Sequence, residues 1–124
     1  MSRKVLLIGH CGADASYLRI AVRAAIPEAQ VLAADEPAEV QKAVADGVDL
    51  VLVNRELGYG FESDSGVELI VSLHATHPEL KMILVSNYAD AQAAAVAAGA
   101  LPGFGKRELG SKRVVELLRG SAQA

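Results

Sequence analysis

A rhythm in the apolar residues constrains the fold most. Short continuous apolar runs alternate with longer stretches whose apolar residues recur at helical spacing. The runs are "KVLLIG" (4–9), "AQVLAA" (29–34), "DLVLV" (49–53), "KMILVSN" (81–87) and "ALPGFG" (100–105). Runs that stay apolar at successive positions suit strands covered on both faces of a sheet. The fifth is short and broken by Pro102 and its glycines.

The stretches between them read as helices. In "DASYLRIAVRAAIP", Asp14 is the expected N-cap, Leu18, Ala21, Val22 and Ala25 share a face, and Pro27 follows the end. "DEPAEVQKAVADG" has Asp35 as expected cap, Pro37 in the first turn and Gly47 past the end. "SGVELIVSLHATHP" puts Val67, Ile70, Val71 and His74 on one face. "ADAQAAAVAAG" is almost wholly alanine and ends at Gly99, and "SKRVVELLRG" is capped by Ser111. Strand–helix alternation of this kind implies parallel pairing through right-handed crossovers, hence an α/β three-layer sandwich with a five-stranded parallel sheet and five helices. One domain is expected over 1–120, with 121–124 a frayed tail.

Composition narrows the function. A net charge of −3 with no Lys/Arg block does not suggest nucleic-acid binding through a basic face. A single cysteine, Cys11, forbids an internal disulfide and fits a reducing compartment. No apolar run reaches the length of a membrane span, and the N-terminal run is too short for a signal-peptide core. The expectation is a cytoplasmic domain.

Parallel α/β sheets bind ligands beyond the carboxyl ends of their strands. Gly9, His10, Cys11, Asn54, Arg55, Ser86, Asn87 and Lys106 fall there. The central strand ends on an amide, in "VDLVLVNREL", where an acid would carry chemistry.

With "VDLVLVN" at the third strand, "MILVSN" at the fourth and "GALPGFGK" at the fifth, nearly the whole chain resembles the receiver domain of two-component response regulators. The resemblance implies the flavodoxin-like strand order 2-1-3-4-5. It puts Asn54 at the place of the phospho-accepting Asp, Ser86 at the phosphoryl-sensing Thr or Ser, and Lys106 at the pairing Lys. Gly9 and His10 fall at the acidic pair that holds Mg²⁺. An amide is no anionic nucleophile, glycine offers no ligand, and an imidazole nitrogen suits softer metals than Mg²⁺. Nucleophile and metal seat are absent together, so the pattern is that of a degenerate receiver. Lys106 is either a solvated loop lysine or a donor to the Asn54 oxygen; Ser86 is either a turn cap or a switch residue. The family's reporting aromatic falls on Gly103, or on Phe104 with a one-residue shift, and Arg107 replaces the usual Pro after the Lys.

Other constellations carry less. His74 and His77 are spaced for a shared metal, but Pro78 ends their helix and no second ligand pair is evident. "GHCGAD" lacks the spacing of a dinucleotide or P-loop, and Cys11 reads as a buried, inert thiol. The loop after Asn54 is about four residues longer than the family's usual connection. Tyr59 and Phe61 in it are candidate anchors for a partner. The fourth and fifth helices offer Ala93, Ala97, Lys112, Arg113 and Glu116 as a candidate interface, including for a homodimer.

No nucleophile–base pair is evident, so the expected role is non-enzymatic, without cofactor or metal. The expected function is signalling through a protein partner, a kinase or output protein, without Asp phosphorylation. The alternative is a small-molecule or anion sensor using the altered pocket of Gly9–Gly12, Asn54 and Ser86.

Overall fold

The computed structural model describes residues 3–57, 61 and 64–122. Its sheet comprises β1 (Lys4–Ile8), β2 (Gln30–Ala34), β3 (Leu50–Asn54), β4 (Met82–Val85) and β5 (Leu101–Phe104). All pairings are parallel, in the order β2-β1-β3-β4-β5. The register places Ile8 beside Val53 and Asn54 beside Val85, so the ends of β1, β3 and β4 form one rim. The fifth strand is irregular as expected: its register shifts between Ile83 and Val85.

The helices are α1 (Gly12–Ala25), α2 (Pro37–Asp46), α3 (Gly66–Thr76), α4 (Ala89–Ala97) and α5 (Lys112–Ala122). Two apolar clusters cover the two faces of the sheet. One joins Val5, Leu7, Leu50 and Leu52 to Leu18 and Val22 of α1 and to Val114 and Leu118 of α5. The other joins Leu6, Ile8, Val51 and Val53 to Val40 of α2, Ile70 and Leu73 of α3, and Ala95 of α4. Odd and even positions of β1 and β3 thus enter different clusters, which is why both strands read as unbroken apolar runs. On the outer strands, the Arg19 guanidinium donates to the Val31 carbonyl at 3.3 Å, and that of Arg113 to the Gly103 carbonyl at 2.9 Å.

Several local expectations are corrected. α1 starts at Gly12 with Cys11 in the N-cap position, so Asp14 lies inside the first turn rather than capping it. Glu36, not Asp35, precedes α2, and the Asp35 N–H is taken by the Glu39 carboxylate. Val71 faces solvent, and the buried line of α3 is Gly66, Ile70 and Leu73, with Val67 and His74 half-buried. Cys11 is exposed rather than buried. α5 continues past Gly120 through Ser121 and Ala122. Residues 123–124 lie outside the described residues.

Gly66 positions the site. It opens α3 directly beneath the end of β3, where a Cβ would strike the Asn54 carbonyl and lie 3.1 Å from Val53 Cγ1. Gly66→Ala is therefore expected to cost about 2–3 kcal/mol by forcing helix and strand apart, read as a lowered denaturant midpoint with an unchanged slope.

Candidate functional site

The rim of the sheet gathers polar side chains from distant parts of the chain. Asn54 ends β3 and is half-buried. Its Nδ2 donates to the Glu56 carbonyl at 2.7 Å and to the Gly9 carbonyl at 3.1 Å. Two carbonyl oxygens can face only the donating nitrogen, and this fixes the amide's orientation. Oδ1 therefore turns to the Lys106 ammonium, which donates to it across 3.4 Å. The same ammonium donates to Asp14 Oδ2 at 2.6 Å. Of the two readings of Lys106, the structure supports the donor to Asn54.

Asp14 is the residue that sequence reasoning missed. Read as a cap, it sits instead within the first turn of α1, where its carboxylate reaches Lys106 beyond the end of β5. The hydrogen bond from Lys106 holds its pKa below the ordinary carboxylate value, with the Cys11 thiol as a second donor. An available signal was the acid left within one turn of "GHCG" once the strand-end acids were gone.

His10 turns inward. Only 8% exposed, it places Nε2 at 2.9 Å from the Leu52 carbonyl. A carbonyl only accepts, so Nε2 carries the proton, and the buried Nδ1 has no partner among the described residues. Burial depresses the imidazole pKa, the Leu52 carbonyl opposes this, and the Lys106 charge adds to it.

This arrangement does not fit the Mg²⁺ of a phosphorylatable receiver. Gly9 has no ligand atom, His10 spends its nitrogen on Leu52, and an N–H donor of Asn54 occupies the space between the Gly9 and Glu56 carbonyls. Among the described residues, no group of three or more His, Cys, Asp or Glu could hold a metal ion. His74 is half-buried against Gly99 and its Nδ1 has no partner there.

Ser86 is 8% exposed, and its hydroxyl accepts from the Tyr88 N–H at 3.1 Å, the turn-cap arrangement. Asn87 Oδ1 accepts from the Arg107 N–H at 3.1 Å, tying the β4 and β5 loops together. Arg55 stacks 4.7 Å from the Tyr88 ring centroid and pairs with Glu56 at 2.7 Å. A hollow of about 200 Å³ lies between Asn54, Arg55, Ser86, Asn87 and Lys106.

Farther along the rim, a groove of about 720 Å³ runs between α4 and β5, with Ala93, Val96, Pro102 and Arg113 on its walls. Ala97, Lys112 and Glu116 are exposed but lie outside its lining, and the last two pair at 3.9 Å. Phe104 is 1% exposed and packs into the α1–α5 side of the core. Phe61 is half-buried, packing beside Leu57 and Leu69 near α2 and α3. Tyr59 lies outside the described residues.

No family model matches the chain, and no curated protein matches it. Solved structures do. A signal receiver domain of a two-component response regulator from Bacteroides fragilis superposes with a TM-score of 0.78 at 16% identity, over 100% of this chain and 99% of that one. A response regulator from Thermotoga maritima gives 0.75 at 21%, covering 100% of both. The beryllofluoride-activated NtrC4 receiver domain dimer gives 0.72 at 16%, over 95% and 94%. The chain has the flavodoxin-like receiver fold.

Two pH effects follow. The folded-state pKa of His10 lies below its ordinary 6.5, so the unfolded chain binds the proton more readily. Stability is then full above pH 6.5 and declines as pH falls below it; His10→Gln, which keeps a donor for Leu52, is expected to flatten that decline in urea titrations. Asp14 is likewise depressed below 3.8. Its contribution is present above that value and lost as pH falls through the lower folded one. Because both partners are about one-third exposed, Asp14→Asn is expected to remove under ~1 kcal/mol at neutral pH and to soften the acid limb of the stability curve below pH 3.8.

Proposed function

We propose that this chain is a receiver-type signalling module that works without Asp phosphorylation, in the cytoplasm, by presenting a fixed surface to a protein partner. The observation that carries this is the Asn54 amide. It donates to the Gly9 and Glu56 carbonyls and accepts from Lys106, so a neutral group satisfies the strand-end neighbours without metal or phosphoryl group. An aspartate there would lose both donor contacts and set its charge against two carbonyl oxygens. Asp14 supplies the anion that holds Lys106.

The partner face is the one built from α4, β5 and α5, where the groove and the exposed Ala93, Ala97, Lys112, Arg113 and Glu116 lie. Small residues on α4 permit close approach of another chain. Self-association through the same face is part of the proposal, one similar receiver having been solved as a dimer. Anion sensing by the hollow at Asn54 is less favoured, because Lys106 and Arg55 already hold the carboxylates of Asp14 and Glu56.

Incubation with Mg²⁺ and acetyl phosphate is expected to leave the intact mass unchanged. Stoichiometric addition of a phosphoryl group at any residue would overturn the reading.

A further inference from the structure

Gln92 on α4 makes an unusual set of contacts for one amide. Its Nε2 lies 2.8 Å from the Leu84 carbonyl, 3.0 Å from that of Ser86 and 3.2 Å from that of Phe104. The acceptors come from β4, the turn after it and the end of β5. An amide has two hydrogens, so two of the three carbonyls share one of them. The Ser86 N–H meanwhile donates to the Phe104 carbonyl at 2.9 Å, closing the same junction from the backbone.

The sequence opposite is matched to this amide. Gly103 is buried, and a Cβ there would strike the Leu84 carbonyl and come within 2.5 Å of Gln92 Oε1. Oε1 itself is buried with no partner among the described residues. That cost of about 1–3 kcal/mol is tolerated where the amide nitrogen is held on three sides. Gln92 thus fills the space a side chain at 103 would need, and it forms part of the groove's wall.

We propose that Gln92 pins the ends of β4 and β5 to α4 in one arrangement, so that the groove keeps one shape whatever happens at the Asn54–Lys106–Asp14 cluster. Two routes lead from that cluster toward the groove: Asn54 is in register with Val85, next to Ser86, and Lys106 follows Phe104 by two residues. Both end on backbone that the Gln92 amide clamps: the Ser86 carbonyl on one side and the Phe104 carbonyl on the other. Gln92 is a positioning residue, and its role rests on the reading that a partner docks at this face.

The test uses backbone amide NMR spectra of the full chain, with Lys106→Met as the perturbation. In the wild-type background it is expected to shift the amides of Gly9, Asp14 and Asn54 and to leave those of Ala93, Val96, Gly103 and Arg113 in place. With Gln92→Met, which keeps the volume and removes the donor, the same Lys106 substitution is expected to move the groove amides, and the Ser86 amide is expected to exchange about tenfold faster, the scale of one or two lost hydrogen bonds. A merely stabilising Gln92 would lower the melting temperature without changing how far the Lys106 perturbation spreads. Groove shifts on Lys106→Met alone would overturn the proposal, and this arm needs no Gln92 variant to fold. No partner enters the measurement, so its failure leaves the docking reading standing; phosphorylation by acetyl phosphate would overturn that reading and leave the clamp intact.

Discussion

The strand-end site depends on one amide being able to donate and accept at once. Asn54 sits where β1, β3 and the loop after β3 converge, and its nitrogen satisfies carbonyls of both neighbours while its oxygen meets Lys106. A carboxylate could satisfy only the lysine, and an apolar residue would leave both carbonyls without the Asn54 donor and Lys106 with Asp14 alone. Buried or half-buried polar groups without partners are costly, so the identity of this residue propagates to the shape of the loop and the position of the lysine. With Lys106 also committed to Asp14, the start of α1, the end of β3 and the β5–α5 loop are tied together by side chains alone.

The sheet makes such convergence possible. Parallel register brings residues separated by 40 or more positions, such as Gly9 and Asn54, to one edge. Backbone crowding then limits what can sit there. Gly66 lets α3 begin against the Asn54 carbonyl, and Gly103 lets the Gln92 amide lie against β5. At both places the absence of a side chain positions a polar group belonging to another element.

Much of this was legible in the sequence, and the remainder has identifiable physical causes. Strand positions follow from the apolar runs and parallel pairing from the strand–helix alternation, while the strand order came only with the receiver resemblance; Asn54, Ser86 and Lys106 could be placed at strand ends from spacing. Asp14 could not: a carboxylate before a helix reads as a cap, and a start three residues earlier turns it from a local group into a partner for a lysine 92 positions away. Gln92 was invisible for a related reason. In an alanine-rich helix a lone glutamine looks like a solvent-facing residue, and only the three carbonyls at the β4–β5 junction reveal its direction. Val71 was assigned to the wrong side of α3 because helical spacing alone does not fix which flank of an apolar stripe meets the sheet.

The arginines on the outer strands bear on how this molecule meets others. Phe104 turns its carbonyl to β4, so that of Gly103 points outward, and Arg113 takes it. Gln30 pairs inward with its neighbouring chain segment, so the Val31 carbonyl points outward, and Arg19 takes that one. Both open sides of the sheet thus carry a guanidinium on an acceptor that another extended chain would need. At those two carbonyls an added strand would have to displace an arginine.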